Sequence, residues 1–370
     1  MDRPVQVLVD MGSSQTRVVW LLNKYCVLYR HFLASCSLAS ASQSPESMGS
    51  DSYYVECGKA SYVVGSRAVE SPIAADAVDA LKVEASIYRI LAALHLVFEH
   101  YAREGESPSI ALTLLLPSNE HRSFALLERT LHKSLKSFRC NGEAYELTLD
   151  SLDCFVEGFG VLKYSTHEDS GYASEKVLTA MVGYRDISFI ASIGHQEILQ
   201  AKTARLGLLW LLKDIEDQVG DIDRLKAARL LFELGSGSIT AGAVRELTRV
   251  RSEAMKSQDA VLIAKAMRAS RKKYWDFIER AFKSLPFEYE MLLVCGGTGE
   301  YLKEHLCNVL PGYVATPESL IERIVENSDL DYAEAARFAD IFGLAYSMQM
   351  DMPELVNPML SSYLASWKAT

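Results

Sequence analysis

Short apolar runs and polar turns alternate along the first half of the chain, with helical spacing between some of them. Continuous or alternating apolar residues predict strands at 5–11, 17–22, 27–33, 53–57, 61–64, 110–116 and 143–149. Apolar residues at intervals of three and four predict helices at 77–101 and 119–136. Strands interspersed with helices indicate sheets flanked by helices, which is the α/β class.

The second half of the chain begins the same alternation again. Apolar runs predict strands at 177–182, 187–193 and 291–295, and helical spacing predicts helices at 205–218, 222–235 and 239–283. The segment 34–52 is rich in Ser and interrupted by Pro45 and Gly49, which is typical of a surface loop.

Composition narrows the class of protein. A length of 370 residues, 49% of them hydrophobic and 23% charged, is typical of a globular protein of about two domains. The formal net charge of −10 argues against direct binding of nucleic acid, which needs a concentrated positive surface.

The 7 cysteines form no CxxC pair, so reduced thiols in a cytoplasmic protein are expected. The apolar runs are too short to span a bilayer, and no signal peptide is predicted.

The most informative motif lies near the start, between two predicted strands. The first strand delivers Asp10 into a turn that contains Gly12, Ser13 and Ser14. Glycine lets the backbone approach a ligand closely, and successive N–H groups with two hydroxyls form an anion site. Asp10 beside that site is suited to hold Mg²⁺, directly or through water. The motif predicts a phosphate-binding β-hairpin, and an ordinary β-turn is the alternative.

Two common nucleotide-binding motifs are excluded at this hairpin. The chain contains no GxxxxGK[ST] sequence, so it has no Walker loop. The residues after Gly12 are strand-like and not helical, which excludes a Rossmann fingerprint. Continued through Thr16 and Arg17, the hairpin reads DxGSSxTR. This pattern resembles the first phosphate loop of actin, DnaK-type chaperones and sugar kinases.

Within that superfamily, the chain is most similar to actin-like ATPases of the ParM/StbA plasmid-segregation type. The resemblance implies two ribonuclease-H-like α/β domains, each a mixed sheet flanked by helices, with a nucleotide cleft between them. It implies domain I at 1–155 and domain II at 156–350, with outer subdomains at about 26–76 and 222–284 and a tail or helix at 351–370 that packs back on domain I. The residues that it implies as phosphate contacts are Gly12, Ser13, Ser14, Thr16 and Arg17, while Asp10 orders the metal.

A glutamate stands where the first domain gives way to the second. An apolar strand delivers Glu157 into a helix start flanked by Gly158 and Gly160. In ParM-like proteins, a glutamate at this crossing positions the attacking water, so the resemblance makes Glu157 catalytic together with Asp10. The alternative is an acidic residue favoured near a helix N-terminus by the helix dipole.

The second phosphate loop departs from the family pattern DxGGxTTD. Met181 stands where the first Asp is expected, and the turn is shortened, so that Asp186 arrives early. A thioether is a weak acceptor and cannot organise the water around Mg²⁺. Gly183 and Tyr184 are still expected at the phosphates. Hydrolysis is expected to be weakened, or to depend on Asp186 and the acidic residues of the first half.

A Gly-Gly-Thr-Gly turn follows the predicted strand 291–295 and resembles the family's adenosine motif. The residues that this resemblance implies as nucleoside contacts are Gly296, Gly297 and Thr298. Arg271 and Lys272, on a basic helix, are candidates to flank the adenine, because guanidinium planes stack on aromatic faces. The alternatives for that basic helix are a solvated face and a contact with DNA.

A later segment, Ala336–Leu344, resembles the A-N-x-x-G helix that follows the adenosine motif in this family. Its spacing is that of an amphipathic core helix, and we assign it no chemistry from the sequence.

The resemblance implies a cytoplasmic protein that binds ATP (or GTP) with Mg²⁺ and associates head-to-tail into filaments. Such filaments segregate plasmids or other DNA through a ParR-like DNA-binding adaptor, or serve as a bacterial cytoskeleton. ATP hydrolysis is expected to loosen them. Two alternatives are a sugar or acid kinase of the same superfamily and a nucleotide-binding scaffold that does not hydrolyse. Met181 supports the scaffold.

Overall fold

The computed structural model describes residues 4–23, 26–40, 43–69, 82–99, 108–168, 175–193, 197–250, 252–310, 313–349 and 354–356. The chain divides into two compact units, Met1–Glu168 with Glu318–Thr370, and Asp169–Pro317. The predicted domains divide the chain at 155/156 instead, and assign residues 318–349 to the second domain. The predicted helix segment 77–81 and most of the tail, 357–370, lie outside the described residues.

The strands, in chain order, are β1 (Val5–Asp10), β2 (Gln15–Asn23), β3 (Cys26–Leu33), β4 (Cys36–Leu38), β5 (Ser52–Cys57), β6 (Ala60–Gly65), β7 (Ser109–Leu116), β8 (Phe138–Cys140), β9 (Glu143–Tyr145), β10 (Thr148–Val156), β11 (Lys176–Val182), β12 (Ile187–Ile193), β13 (Glu197–Ala204), β14 (Met291–Cys295), β15 (Tyr313–Ala315) and β16 (Glu354–Val356). The α-helices are α1 (Ser66–Val69), α2 (Lys82–Glu99), α3 (Phe124–Leu135), α4 (Phe159–Glu168), α5 (Leu208–Val219), α6 (Arg224–Leu234), α7 (Glu253–Lys283), α8 (Gly297–Val309), α9 (Glu318–Glu326) and α10 (Tyr332–Gln349). Among the described residues, 3₁₀ turns lie at Pro45–Ser47, Ser118–Ser123 and Arg245–Leu247.

The first unit contains a mixed six-stranded sheet in the order β10-β7-β1-β2-β3-β16. The pair β1–β2 is antiparallel, whereas β1 and β7 are parallel. Strand alternation places Val7 and Val9 in a buried cluster with Trp20 and with Leu91 and Leu94 of α2. A five-stranded sheet, in the order β4-β6-β5-β8-β9, lies in the same unit. Together, these elements hold the β1–β2 hairpin rigidly at the end of the larger sheet.

The second unit is built on a five-stranded sheet in the order β13-β12-β11-β14-β15. Leu178, Ala180 and Val182 of β11 alternate into a buried cluster formed with α5, α7 and α8. The turn after β11 and the turn after β14 are neighbours, because the two strands are adjacent and parallel. Both turns were predicted as ligand-binding segments.

The predicted α/β class is confirmed, and the two predicted hairpins form with the expected strands. Three predictions were wrong in part. Residues 143–149 are not one strand, because the Leu147 N–H donates to the Leu135 carbonyl between β9 and β10. Residues 239–252 precede the long helix α7, since the Thr240 hydroxyl accepts the Ala243 N–H and starts a turn. Cys36–Leu38, in the predicted loop, pairs with β6.

Within the described segments, no helix combines the length and the apolar character needed to cross a bilayer.

Candidate functional site

The first predicted phosphate loop contains a buried ion pair. The register of β1 and β2 places Asp10 directly opposite Arg17. The Arg17 Nη1 donates to Asp10 Oδ2 at 2.6 Å, and both side chains are buried. A charge-assisted hydrogen bond of this length compensates two charges that would otherwise be costly to bury. Asp10, predicted to order the metal, and Arg17, predicted to contact phosphate, are therefore direct neighbours.

The turn between these strands is anchored through its carbonyl groups. Arg89 of α2 donates from Nη2 to the Gly12 carbonyl at 2.6 Å, and Ala34 N–H donates to the Ser14 carbonyl at 3.1 Å. In a trans peptide the N–H points opposite to the C=O, so the N–H of Ser13 points away from Arg89. A side chain at Gly12 would place its Cβ 2.5 Å from the Gln15 carbonyl oxygen. The turn therefore needs glycine at that position.

Thr16 lies on the other face of β2 from Arg17. Its side chain is fully buried, and its Oγ1 accepts a hydrogen bond from Arg89 Nε at 2.7 Å. Successive strand residues point to opposite faces, which separates the Thr16 hydroxyl from the ion pair. The structure thus gives Thr16 a role in holding Arg89. The sequence analysis did not identify Arg89. The one feature that could have indicated it is a cationic residue beside the apolar Ile90 in a predicted helix.

Glu157 lies in the two-residue link between β10 and α4, and its side chain is buried. Its N–H donates to the Leu116 carbonyl at 3.1 Å. The next residue, Gly158, has φ +95°, a left-handed conformation that favours glycine. This turn directs the chain from the sheet into α4. Glu157 is therefore held at a fixed point where strand becomes helix, as the sequence predicted.

The start of α4 is capped by Asp340 of α10, which the sequence analysis left without a role. Asp340 Oδ2 accepts the Gly158 N–H at 2.7 Å, and Oδ1 accepts the N–H groups of Gly160 at 2.8 Å and Val161 at 3.2 Å. The two helices are in very close contact here. A Cβ on Gly160 would lie 1.8 Å from the Asp340 carbonyl oxygen, and one on Gly343 would lie 2.6 Å from the Gly160 carbonyl oxygen.

Burial raises the pKa of Asp340 to about 7, and the carboxylates of Asp10 and Glu157 act in the same direction. The backbone N–H groups at the start of α4 oppose this shift, because they favour the charged form. Asp340 therefore belongs electrostatically to the same acidic group as Asp10 and Glu157. The signal in the sequence was an acidic residue within an apolar helical stretch.

The second predicted phosphate loop is tightly closed. The Gly183 N–H donates to the Asp186 carbonyl at 2.9 Å, across the turn between β11 and β12. The carbonyls of Gly183 and Tyr184 accept the N–H groups of Leu208 and Leu209, at the start of α5, at 3.4 and 2.8 Å. The Gly183 N–H is thus used within the turn. This closure follows from the shortening of the turn seen in the sequence.

Asp186 forms a buried pair with its neighbour. Arg185 Nε donates to Asp186 Oδ2 at 2.5 Å, and both side chains are buried. The other oxygen, Oδ1, is buried without a hydrogen-bond partner in the part of the chain that the structure describes. An unsatisfied buried carboxylate oxygen is costly and needs a reason. Asp186 is therefore the acidic group of this loop with remaining capacity to accept a hydrogen bond.

Met181 lies where the family pattern has its first Asp, and it packs against the predicted adenosine turn. Cys295, its partner in the parallel register of β11 and β14, lies 3.6 Å away between sulfur atoms. Gly296 has φ +86°, and a Cβ there would lie 2.9 Å from the Met181 Sδ and 2.6 Å from the Val182 carbonyl. The second loop and the adenosine turn are therefore in direct contact, and glycine is needed at position 296.

The turn that resembles the adenosine motif leads directly into α8, as the sequence predicted. The helix begins at Gly297, directly after β14 and Gly296, and Thr298 in its first turn is buried. The first N–H groups of a helix are suited to bind anions or polar ligand atoms. The strand–turn–helix context that the motif required is thus present.

The two basic residues predicted beside adenine have different environments. Arg271 Nη1 donates to the carbonyls of Gly235 at 3.0 Å and Gly237 at 2.8 Å, and its guanidinium lies 5.0 Å from the Trp275 ring centroid. Burial raises the pKa of Tyr301, in α8, to about 12, while Arg271 opposes this shift. Arg271 therefore reaches the helix that the adenosine turn begins.

Lys272, by contrast, forms an exposed pair with Asp276 at 2.8 Å, one helical turn away. Such exposed pairs contribute little to stability. Lys272 thus lies on a solvated basic face of the helix, which was the alternative to a position beside adenine.

A nucleotide–Mg²⁺ complex is compatible with the chemistry of the first loop. Over the described ranges, no group of three or more His, Cys, Asp or Glu side chains could hold a metal ion by itself. Mg²⁺ commonly binds through one or two carboxylates together with phosphate oxygens and water. Asp10 supplies one carboxylate, and Arg17 supplies a buried cation for the phosphates.

Comparisons with known proteins bear on the fold of this chain. No protein-family model and no curated protein matches the chain. Among solved structures, it is similar to a 15-stranded ParM filament from Clostridium botulinum, with TM-score 0.61 and 16% identity over 94% of this chain and 100% of the other. The actin-like protein Alp7A matches with TM-score 0.58 and 11% identity over 100% of both chains. An AlfA filament bound to AMPPNP matches with TM-score 0.54 and 14% identity over 94% of this chain and 99% of that one.

These likenesses extend over nearly the whole chain at very low sequence identity, so what they establish is the architecture. The chain has the actin-like fold.

Proposed function

We propose that this chain is a nucleotide-dependent, filament-forming actin-like protein of the ParM/StbA kind. The observation that carries the proposal is the full-length likeness to proteins solved as filaments, ParM and AlfA. In this role it would segregate plasmid or other DNA, or serve as a bacterial cytoskeletal element. These likenesses do not favour the alternative of a sugar or acid kinase.

The proposed ligand is ATP (or GTP) with Mg²⁺. An AlfA filament binds AMPPNP, which supports nucleotide as the ligand of this fold. In the first unit, we assign the phosphates to the outward N–H group of Ser13, to the hydroxyls of Ser13 and Ser14, and to Arg17. Asp10 would hold the water around Mg²⁺. When bound, Mg²⁺ would neutralise charge on the phosphates.

In the second unit, we assign phosphate contacts to the turn at Gly183 and Tyr184 and the nucleoside to the start of α8. The residues proposed for the nucleoside are Gly296, Gly297 and Thr298, with Arg271 beside them. Since the Gly183 N–H is bonded within its own turn, this loop would contribute through its other polar groups.

Hydrolysis would depend on Glu157 as the residue that orients the attacking water. The carboxylate that a family member has at position 181 is replaced by a thioether, which is a weak acceptor. Asp186 retains one carboxylate oxygen without a partner among the described residues, so it is the local candidate to compensate. We expect slow turnover, and filaments that are correspondingly long-lived.

Self-association and an adaptor complete the proposal. A head-to-tail interface between identical chains propagates into a filament. With a net charge of −10, the chain would reach DNA through a basic ParR-like adaptor and not by direct contact.

The deciding experiment combines light scattering and electron microscopy of the pure protein with ATP, with AMPPNP and without nucleotide. Filaments that form with nucleotide and disappear in Asp10→Ala are the expected result. A protein that neither binds nucleotide nor assembles under any of these conditions would contradict the proposal. Asp223→Ala, at the exposed N-cap of α6, is a control that removes a carboxylate from the second unit.

A nucleotide-binding scaffold that does not hydrolyse is the second candidate, and the thioether of Met181 in the second phosphate loop favours it, because it is only a weak acceptor. Trapped nucleotide in a stable monomer, with no phosphate release over hours, would select this candidate. Phosphate release coupled to filament loss would exclude it.

A further inference from the structure

Asp340 is a buried ionisable group to which the proposed function assigns no task. It lies in the middle of α10 with 1% of its surface exposed. Its partners are three backbone N–H groups at the start of α4, 179 to 182 positions earlier in the chain. A carboxylate is costly to bury, so the three hydrogen bonds it accepts must be part of the reason it is there.

The first of these hydrogen bonds comes from the residue that follows Glu157. Gly158 N–H donates to Asp340 Oδ2 at 2.7 Å, and Gly158 has the left-handed φ of +95°. The peptide that contains this N–H also contains the Glu157 carbonyl, so fixing one fixes the orientation of the other. The N–H of Glu157 is held at its other end by the Leu116 carbonyl. The backbone on both sides of Glu157 is therefore constrained.

The charged groups around Asp340 come from several elements. Asp10 of β1 and Glu157 oppose its ionisation, and Arg17 of β2 is paired with Asp10. On its own helix, Arg337 has a pKa lowered by burial and by Arg17, which places that cation in the same region. The start of α4 favours the charged form through its N–H groups and its dipole.

We propose that Asp340 is a positioning residue that fixes the backbone around Gly158 and thereby aims the Glu157 carboxylate. This inference rests on the proposed role of Glu157 in orienting water. Asp340 itself would not touch the nucleotide. It would act through the peptide group between Glu157 and Gly158, which sets the position of the Glu157 side chain. A small displacement of that side chain would lower the rate of hydrolysis.

The geometry explains why a carboxylate is suited to this task and an amide is not. Oδ2 serves Gly158, while Oδ1 serves Gly160 and Val161, so both oxygens are acceptors. Asparagine has one acceptor oxygen, and its NH₂ group would face a backbone N–H on the other side.

The first test measures the backbone directly, without nucleotide. Labelling the 21 glycines with ¹⁵N gives amide signals for Gly158 and Gly160. Asp340→Asn is expected to shift both signals and to accelerate their exchange with solvent at least about tenfold, since hydrogen bonds to charged groups are lost. Asp331→Asn is the matched control, because Asp331 caps the exposed start of the same helix through the Glu334 N–H. Unchanged signals in Asp340→Asn would overturn the inference.

The second test measures turnover. Asp340→Asn is expected to lower kcat about tenfold with KM changed less than about twofold, because misplacement affects the chemical step more than binding. A merely structural role predicts unchanged kcat per folded molecule, and that result would overturn the inference. Glu157→Gln separates the two proposals. If it leaves turnover unchanged, the role of Glu157 is wrong, and the catalytic part of this inference with it.

A variant that fails to fold does not remove the test. In the unchanged protein, the N–H groups of Gly158 and Gly160 should both exchange slowly with solvent, since one buried carboxylate accepts both. Exchange of these two N–H groups as fast as that of an exposed amide would contradict the clamp.

Discussion

The guanidinium of Arg17 lies 2.6 Å from the carboxylate of Asp10 across the first hairpin. The two residues are direct cross-strand neighbours, and both side chains are almost fully buried. The Asp10 carboxylate and the Arg17 guanidinium neutralise each other in the free protein. The same two groups are those proposed to bind Mg²⁺ and phosphate, so the pair affects both stability and function. Nucleotide binding would therefore have to separate or reorganise a charge pair that already exists.

Removing Arg17 is expected to reduce both stability and nucleotide affinity. Arg17→Ala leaves the Asp10 carboxylate buried without this partner, at a cost of about 3–5 kcal/mol in the free energy of unfolding. Urea unfolding measures that cost, and a fluorescent ATP analogue measures affinity. The double variant Asp10→Ala/Arg17→Ala should recover part of the lost stability while binding remains weak. If the double variant is less stable than Arg17→Ala, the pair is not the cause.

Arg89 provides a second prediction, since it holds the Gly12 carbonyl from within the domain. Arg89→Met keeps much of the side-chain volume but removes two charge-assisted hydrogen bonds, at a cost of about 2–4 kcal/mol. The turn would lose the constraint that points the Ser13 N–H outward, so we expect nucleotide affinity to fall about tenfold. Equilibrium binding after correction for the folded fraction checks this.

The control for Arg89 is Arg129→Met. Arg129 lies on the exposed face of α3 and donates to the carbonyl one turn earlier. Surface substitutions of this kind are usually close to neutral. Equal losses of affinity in both variants would mean that the effect does not come from the Gly12 carbonyl.

Met181→Asp tests the departure in the second phosphate loop. A carboxylate at this position is expected to increase phosphate release by at least about tenfold, because one positioned acid or base contributes that much or more. A colorimetric phosphate assay measures it, with Met181→Leu as the control of similar volume without a carboxylate. No change would indicate that Asp186 or another group already supplies what the thioether cannot.

Local sequence patterns were sufficient to predict the hairpins and the glycine turn. The strand before Asp10, the glycine at 12 and the strand-like residues after it are close in sequence, so their geometry follows from local rules. The same holds for the turn at Gly296, which follows a continuous apolar strand and opens a helix.

The residues that the sequence missed act over long distances. Asp340 was placed in an amphipathic helix, but its partner Gly158 lies 182 positions away. Arg89 contacts a carbonyl 77 positions away. Periodicity shows that such residues fall on a buried face, but not which backbone groups they meet there. The predicted boundary of the second domain differs from the observed division for the same reason, since α10 packs on α4 and the first sheet.

The pH dependence of stability gives the last prediction. The pKa of Asp340 is about 7 in the folded protein against 3.8 for an ordinary aspartate, so the folded state binds a proton that the unfolded state releases. The stability that comes from this bound proton is fully present below about pH 4 and is lost as the pH rises through 7. The free energy of unfolding, compared with that of Asp340→Asn, should therefore fall by roughly 2–3 kcal/mol between pH 5 and 8. Urea midpoints of both proteins at these pH values measure it. In the control Asp223→Asn, the backbone N–H of Lys226 lowers the pKa of the native carboxyl, so its difference from the unchanged protein should stay constant over this range. A constant difference for Asp340→Asn as well would show that its carboxyl does not titrate near neutrality.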